Sequence, residues 1–559
     1  MEKKNKLIIL GVIILLLIAS GLTFAILTWN STMIKLGINT NCFTINYAKG
    51  NNISGSLKLI NEEDLINNNR FTFKEGVGVS SVNIGINSNC SIEGYGNIIL
   101  NITNISSAFT TGSSKGALKY AVLKNTSTIT TPSSISTTSL LNQSFDIEKK
   151  GSIDTSGTLK LLTKQLSNTE LYKYIIVIYV DNNLAGNDVT SATFQGNISA
   201  DATQGKLDLA KETLNKLNSL NSTITLASGT PDFTTVSGSN GVKYVDGSQT
   251  ATGLGDGTKG IYATQDDLGT SYYFRGAVDN NYVKFANFYW RIIRINGDGS
   301  IRMIYAGTSA HANGESETDS YISKTAYNSS YNDNTYVGYM TGTKGATTYA
   351  SAHSNTNNST IKGVIDTWYK TNIVDKGYSS YVADAIYCND RSIANDNATN
   401  AVFTKAGYTN AGLGYGTNVT AYGGIKRNFV DHTPSLVCPN DNDKFTIDST
   451  LGNGKLTYPV ALITSDEIAY VGGLAYDYNT NSYITNTDVY LHTPSYYYWT
   501  LTPWAFAGGY SLVVYWNASG SLDGNGVSRS SLAARAAVSL LSDAITGGNG
   551  TMNDPFTVG

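Results

Sequence analysis

The sequence predicts a β-rich α+β protein with an N-terminal transmembrane helix, a β-sandwich domain and a C-terminal α+β domain. Three observations support this fold class. The 559 residues exceed what one hydrophobic core organises, so we expect at least two domains. The 37 tyrosines and many threonines favour strands, whereas the 55 glycines and many asparagines favour the turns between them. The first thirty residues contain one long uncharged run.

The N-terminal segment is predicted to cross a membrane. Three lysines within residues 1–6 precede an uncharged run over 7–29, and about 20 apolar residues span the core of a bilayer. Lysines before the run and none directly after it place the N-terminus inside and the rest of the chain outside. A cleaved signal peptide ending near Ala25 is the alternative. We therefore expect residues 1–32 to anchor an extracellular protein in the cell membrane as a single-pass segment.

Residues 33–203 are predicted to form the β-sandwich. Apolar and polar residues alternate in short runs bounded by asparagine and glycine, such as "SGSLKLI", "GNIILNITNI" and "GTLKLLTKQL". A period of two residues with such boundaries is typical of antiparallel strands. The run Ile175–Val180 is the strongest candidate for a central strand.

The hydrophobic period changes over residues 206–218. Leu207, Ala210, Leu214 and Leu217 share one helical face, opposite lysine and glutamate. The stretch that follows is rich in glycine, serine and threonine and has no apolar period, which is typical of a linker. We predict a short helix and a linker over 204–260, between the two domains.

The C-terminal domain is predicted to span 261–559. A hairpin is indicated where the turn sequence 296–299, "NGDG", separates two alternating runs. A helix is expected to begin at Thr464, because Glu467 stands at the capping-box spacing. Asp466 and Glu467 as a catalytic pair are the alternative, but neighbouring helical residues diverge by about 100° and do not converge on one substrate. We therefore favour the cap.

Four cysteines fall into two distant pairs without a C-x-x-C spacing, which gives no support to a metal or redox motif. An even number outside the membrane suggests disulfides, most simply Cys42–Cys90 and Cys388–Cys438. Four free buried thiols are the alternative.

Composition and motifs argue against several activities. A net charge of −3 offers no basic excess for nucleic acid. None of the four histidines has a metal-binding spacing, and neither a nucleophile elbow nor a phosphate loop is present. We predict a protein that is not an enzyme and has no cofactor and no metal. One loop collects metal-type side chains, and there we favour a solvated loop: Asp431, His432, Asp441 and Asp443.

Several motifs occur in order through 261–559, among them "WRIIRINGDGSIRMIY", "GNGKLTYPVALITSDEIAYVGG", "YYYWTLTPW" and "GGNGTMNDPFTVG". In these motifs the chain resembles a family of cell-surface proteins of unknown function from gut-dwelling bacteria of Gram-positive descent. The resemblance implies a C-type-lectin-like fold, which formylglycine-generating enzymes and the variable proteins of diversity-generating retroelements share. The chain departs from the usual Gly-Val-Arg-Pro strand, because Ala534 and Ala536 flank Arg535.

Two activities of that fold are not expected. The formylglycine-generating chemistry needs two nearby cysteines close to the C-terminus, and no cysteine follows Cys438. Calcium-dependent sugar binding needs six to eight oxygen ligands, and both Cys438–Asn440 and Trp516–Ala518 lack a required oxygen.

The stretch 496–531 is predicted to present a binding surface. Alternation assigns Leu512, Val514 and Trp516 to the core, and tyrosine and tryptophan among serine, glycine and asparagine have the composition of a paratope. The resemblance to retroelement variable proteins implies that such a surface is diversified. The residues expected to face a ligand are Trp504, Phe506, Tyr510, Tyr515, Asn517, Asp523, Asn525 and Arg529.

The function expected from these observations is adhesion. We predict a membrane-anchored extracellular protein whose C-terminal domain binds a protein or glycan ligand. The alternative is a structural protein of the cell envelope without a specific soluble ligand.

Overall fold

The computed structural model describes the strand segments 25–29, 43–48 and 53–57, and residues 58–86, 90, 92–125, 137–167, 170–229, 231, 233, 259–475 and 485–559. The chain divides into two compact units, Met1–Leu207 and Asp208–Gly559. No helix in these described parts is long and apolar enough to cross a membrane. Most of the predicted anchor (7–29) lies outside the described residues, but its last five residues form a strand of the first unit.

The first unit consists mainly of strands, with three single-turn helices: α1 (Glu62–Leu65), α2 (Ser107–Thr110) and α3 (Thr137–Leu140). The strands are β1 (Ala25–Trp29), β2 (Phe43–Ala48), β3 (Ile53–Leu57), β4 (Leu59–Ile60), β5 (Ile66–Asn67), β6 (Arg70–Thr72), β7 (Gly78–Ile86), β8 (Gly94–Ile105), β9 (Leu118–Lys124), β10 (Ser144–Ser152), β11 (Gly157–Leu166), β12 (Leu171–Asp181) and β13 (Thr193–Gln204).

These strands form two sheets, in the orders β11-β8-β13-β1-β3 and β2-β7-β12-β9-β10-β6-β5, with β4 beside β12. Apolar side chains from both sheets meet in one core, including Ile98, Leu161 and Ile176. Strand β12 is buried on both faces, since Ile175 and Val177 enter a second core on the other side of its sheet. A strand covered on both faces reads as a continuous apolar run, which is why Ile175–Val180 stands out in the sequence.

The second unit has six helices that the structure describes: α4 (Leu209–Leu220), α5 (Tyr349–Ala352), α6 (Thr360–Tyr369), α7 (Asn397–Lys405), α8 (Gly423–Ile425) and α9 (Ser465–Val471). Its longer strands are β14 (Gly260–Asp266), β15 (Gly269–Arg275), β16 (Tyr282–Phe285), β17 (Phe288–Ile295), β18 (Ile301–Gly307), β27 (Tyr498–Ala507), β28 (Tyr510–Trp516), β29 (Ser521–Gly526) and β31 (Ala537–Leu540). Short strands are β19 (Ser323–Lys324), β20 (Met340–Thr341), β21 (Asn357–Asn358), β22 (Val382–Ala383), β23 (Tyr387–Cys388), β24 (Thr420–Ala421), β25 (Lys444–Phe445), β26 (Leu474–Ala475), β30 (Ala533–Ala534), β32 (Ile545–Gly547) and β33 (Phe556–Val558).

Two sheets organise this unit, in the orders β22-β31-β18-β17-β16-β33-β32 and β19-β30-β27-β28-β29-β26. Strands β14 and β15 extend the first sheet through β17, and β24 pairs with β27. One large apolar core contains residues of both sheets and of helices α4, α6 and α9. The predicted hairpin is confirmed, because β17 and β18 pair in antiparallel register around the turn at 296–299.

Helix α4 belongs to the second unit and not to a linker between the units. Its apolar face, with Leu214 and Leu217, is buried in the core of the second unit. Lys216 and Asn221 donate hydrogen bonds to the carbonyls of Asp543 and Asn549, near the C-terminus. The glycine-rich stretch after α4 therefore connects two parts of one unit. The boundary predicted at 204 is close to the observed one, but the linker that we placed between the domains lies within the second.

The stretch after α4 packs against the second unit through the aromatic side chain of Phe233. Phe233 packs edge-on against Tyr470, with ring centroids 5.3 Å apart. The Arg275 guanidinium lies 4.9 Å from the centre of the Phe233 ring. Both ends of the segment 234–258 are thus fixed to the second unit.

Helix α9 begins with the predicted capping box. Thr464 accepts a hydrogen bond from the Glu467 amide, and the Glu467 carboxylate accepts one from the Thr464 amide. Gly472 ends the helix in the left-handed region, at φ 114°. The same Glu467 carboxylate also lies 3.0 Å from Arg294 Nε and 3.8 Å from Arg302 Nε. The cap is therefore part of a buried ion network.

The network continues on both sides of α9. Arg294 Nη1 contacts Asp266 at 2.7 Å, which ties β17 to the end of β14. Arg427 contacts Asp466 at 2.8 Å and Asp390 at 2.5 Å. Asp466 and Glu467 thus pair with different arginines.

We expect Glu467→Gln to destabilise the second unit by about 3–5 kcal/mol, because it removes the carboxylate that buried Arg302 contacts and one of the two carboxylates that pair with buried Arg294. Glutamine at position 467 can still form the capping box, so this variant removes only the charge. The comparison variant Thr464→Ala removes only the cap and should cost about 1 kcal/mol. Urea unfolding followed by tryptophan fluorescence measures both, since five of the six tryptophans lie in this unit. Equal losses in the two variants would show that the ion pair adds nothing beyond the cap.

The difference in the free energy of unfolding between wild type and Glu467→Gln should depend on pH. Burial raises the pKa of Glu467, but Arg302 and Arg294 outweigh burial and hold that pKa below its usual value. The stabilisation by this carboxylate is therefore complete above the unfolded pKa of about 4.3 and lost as the pH falls through the lower folded pKa. The two unfolding curves should converge in acid. A gap that stays constant down to pH 3 would contradict this.

Candidate binding surface

Strands β27, β28 and β29 form the antiparallel part of the second sheet in which the predicted surface lies. Val514 and Trp516 are fully buried, as the alternation predicts. Leu512 is only half-buried, and Val513, predicted to face outward, is also fully buried. The alternation fails because β28 is covered on both faces. On the face that carries Val513, Ser511 donates a hydrogen bond to the carbonyl of Asp333.

Two of the predicted ligand-facing residues are structural. Phe506 is only 1% exposed, so its ring is part of the protein interior. The Asn517 side chain accepts hydrogen bonds from the backbone amides of Ser519 and Ser521. These bonds close the turn between β28 and β29. Both side chains are therefore buried, Phe506 at 1% and Asn517 at 8% exposure, and neither faces outward as expected.

Trp504 and Tyr515 lie on opposite faces of the sheet. Val514 pairs with Gly524, and the Trp504 ring fills the space that a Cβ on Gly524 would occupy, at 2.3 Å. Tyr515 is the next residue along β28, so its side chain points to the other face. There its hydroxyl lies 3.3 Å from Asp523 Oδ2. The predicted cluster is therefore not one continuous surface.

The tip of the β27–β28 hairpin is the most aromatic exposed region of the described chain. Among the residues that the structure describes, four aromatic side chains are exposed, and all are tyrosines: Tyr331, Tyr408, Tyr497 and Tyr510. Three of them meet at the tip. Tyr510 stacks on Tyr331, with ring centroids 4.8 Å apart and an interplanar angle of 14°. The Tyr408 hydroxyl lies beside Gly508, 3.0 Å from the position that a Cβ would take.

The turn at this tip needs its two glycines. Gly508 and Gly509 both have positive φ, 59° and 83°, between the paired residues Ala507 and Tyr510. A two-residue hairpin turn with both central residues in that region is a tight turn that matches the twist of the strands. The glycines also leave the backbone uncovered beside the tyrosines. We call Tyr331, Tyr408, Tyr510 and these two glycines the tyrosine tip.

Arg529 lies near the tyrosine tip. Val527 donates a backbone hydrogen bond to Ser511, next to Tyr510, and Arg529 follows two residues later, within about 7 Å of chain. Its side chain is exposed and contacts only Ser531 among the described residues. Asn525 is half-buried opposite Val513. Of the predicted residues, Tyr510 and Arg529 thus belong to the exposed tip.

Sequence analysis missed Tyr331 and Tyr408. Each stands alone in a polar loop, in "NSSYNDN" and "AGYTNAG", without a hydrophobic period. Only the fold brings these loops to the hairpin. An isolated tyrosine between asparagines, serines and glycines was the one available signal.

The loop with metal-type side chains is held by ion pairs. Asp443 is buried against Arg391, at 2.5 Å, whereas Asp441 is exposed and contacts Lys444. Asp431 contacts Lys426. Within the described residues no group of histidine, cysteine, aspartate and glutamate is arranged to hold a metal.

The predicted disulfide Cys388–Cys438 is present, and its sulfur atoms are 2.02 Å apart. Cys90 is also disulfide-bonded, and its predicted partner, Cys42, lies outside the described residues. The bridge links β23 to the segment before β25, close to the Arg391–Asp443 pair.

A polar cleft of about 610 Å³, partly open solvent, lies beside α9. Its charged walls are the residues of the ion network, including Arg294, Arg427, Asp466 and Glu467. Each of these carboxylates is already bonded to an arginine or to a backbone amide. The cleft therefore has no carboxylate pair free to act as acid and base.

Comparison with known proteins gives no match: neither a protein-family model nor a curated protein nor a solved structure is similar to this chain. The resemblance to lectin-like surface proteins stays a prediction from the motifs.

We expect Gly524→Ala to displace the Trp504 ring, because the new methyl group would lie 2.3 Å from it. Overpacking of this kind costs about 1–3 kcal/mol. Gly526→Ala is the matched control in the same strand, since a Cβ there meets nothing within 4 Å. Tryptophan fluorescence and urea unfolding should change in the first variant only. Identical behaviour of both variants would show that the ring does not pack on Gly524.

Proposed function

We propose that the chain is a membrane-anchored extracellular binding protein and that its second unit carries the ligand site. In this proposal the site is the tyrosine tip with Arg529, and the ligand is a protein or a glycan outside the cell. The fold expected for the unit is the C-type-lectin-like one. The β-sandwich precedes it in the sequence, and the anchor is the uncharged run that precedes strand β1. The protein has no catalytic role in this proposal.

The concentration of exposed tyrosines at one hairpin is the observation that supports binding. Soluble surfaces expose single apolar residues at scattered positions, whereas clustered exposed aromatics mark interaction sites. Tyrosine provides a large rigid contact area and a hydroxyl for hydrogen bonding at low cost in conformational entropy. Three of the four exposed aromatic side chains of the described chain lie at the tyrosine tip.

Rigidity of the hairpin also favours this site. The turn is closed by the pair Ala507 and Tyr510, and the strands behind it are buried on both faces. A preorganised surface loses little entropy on binding. A diversified surface, as in retroelement variable proteins, would need such a scaffold, because side chains can vary at the tip without disturbing the core.

Screening of the full-length protein in lipid nanodiscs against glycan arrays and arrays of extracellular proteins tests the proposal. Tyr510→Ala and Tyr331→Ala should each weaken a ligand found in this way about tenfold or more. Their thermal stability should stay close to wild type, since both side chains are exposed. Tyr497→Ala, an equally exposed tyrosine at the other end of β27, is the control and should bind normally.

Three results would contradict the proposal. Unchanged binding in both tip variants would place the ligand elsewhere. A large loss of stability in Tyr510→Ala would show a structural ring, and the absence of any ligand in both arrays would favour the envelope-structural alternative.

A further inference from the structure

One loop of the tyrosine tip contacts a buried histidine. The loop is the segment 406–419 between α7 and β24, and it carries Tyr408. Gly414 is its one buried residue, and every other residue of the segment is half-buried or exposed. Segments with so little buried surface open locally at low cost in free energy. The contacts of Gly414 therefore contribute strongly to the stability of the closed loop.

His353, directly after α5, is the residue that holds Gly414. Its side chain is fully buried, and its Nε2 lies 2.7 Å from the Gly414 carbonyl oxygen. A carbonyl only accepts, so Nε2 carries the proton, and Nδ1 is the bare nitrogen of the neutral imidazole. Nδ1 has no hydrogen-bond partner in the described part of the chain. A second proton on the ring would create a buried N–H without an acceptor, which is costly.

The groups around the ring also oppose a positive charge there. Burial and the Arg391 guanidinium hold the pKa of His353 well below its usual value, and the hydrogen bond to Gly414 offsets them only in part. The Asp443 carboxylate is already paired with Arg391, at 2.5 Å. The loop 406–419 contributes no charged side chain. The titratable and charged groups of the elements packed around the ring are Tyr349, Tyr422, Asp333, Asp390, Arg391 and Asp443.

The same loop supports a second tyrosine of the tip. The backbone amide and the side-chain amide of Asn334 both donate to the carbonyl of Gly416, at 2.9 and 3.0 Å. Asn334 follows Tyr331 by three residues. Opening of the loop therefore moves Tyr408 and also removes the support of the segment that carries Tyr331.

We infer that acid opens the loop 406–419 and so separates Tyr408 from the rest of the tyrosine tip. At neutral pH the imidazole is uncharged and the loop is closed on it. An open loop exposes the ring to water, where histidine takes up a proton with a pKa of about 6.5. The closed state excludes this proton, so its stability is complete above that pKa and declines progressively as the pH falls below it. The inference describes a regulation of the proposed binding site and depends on that proposal only for the effect on a ligand.

Hydrogen–deuterium exchange of the full-length protein at about pH 7.5 and 5.5 tests the inference. The reporters are peptides that cover 406–419, where the amides of Ala411 and Gly414 are hydrogen-bonded. Between these two pH values the opening equilibrium of the loop should rise about tenfold, because protonation stabilises an exposed imidazole by that factor over this range. Peptides of β17 and β18 should keep their protection, because these strands lie in the core.

His353→Gln is the variant that removes the titrating group. Glutamine retains an N–H donor for the Gly414 carbonyl but does not titrate, so its loop should not respond to pH. Comparison with wild type at the same pH cancels the intrinsic exchange rates. His311→Gln is the matched control, because His311 lies in another loop, where it contacts Asp319. Its loop 406–419 should respond as in wild type. Urea unfolding checks that both variants are folded.

The outcomes either support or overturn the inference. A response of the loop in wild type and in His311→Gln, but not in His353→Gln, supports it. Equal responses in wild type and His353→Gln, or a parallel loss of protection in β17 and β18, would overturn it. An unchanged loop in wild type would also overturn it, even if His353→Gln does not fold. The exchange measurement needs no ligand, so its failure leaves the proposed binding site standing, and failure to find a ligand leaves the opening of the loop intact.

Discussion

The second unit depends on the pairing of Arg294 with Asp266 and Glu467. These ion pairs lie in the interior, where separated charges are very costly, so β14, β17 and α9 can only pack together. Helix α9 is in turn bonded to β27: the Ser465 amide donates to Thr502 Oγ1, and the Leu501 amide donates to the carbonyl just before the helix, at Ile463. The hairpin that carries the tyrosine tip is thus held at its base by a charged interior.

In this unit the charged side chains and the exposed aromatic side chains lie in separate regions. The arginines and carboxylates are mostly paired inside, where they fix the arrangement of strands and helices, whereas the tyrosine tip contains no charged side chain of its own. Arg275 shows the same use of a buried guanidinium, because it donates to the carbonyls of Ala469 and Tyr470 at the C-terminal end of α9. A rigid interior of this kind holds the exposed tyrosines in a constant position.

Local signals explain which features the sequence could predict. The turn at 296–299 and the cap at Thr464 depend on neighbouring residues, and both were found. The burial of Val513 and Phe506 could not be found from alternation, which assumes that one face of a strand meets solvent. Tyr331 joins Tyr510 only through the fold, since their loops are far apart in the chain. Composition and the resemblance directed attention to the stretch 496–531 but could not tell its buried rings from its exposed ones.

The packing of α4 has a consequence for proteolysis of the chain. A protease that cuts within 234–258 breaks the chain between α4 and β14, but α4 stays buried among residues of the larger fragment. The two fragments would separate on a denaturing gel and migrate as one particle in gel filtration. The larger fragment would then stay attached to the first unit through α4 and the residues up to Phe233, and its release would be set by the rate at which that segment dissociates.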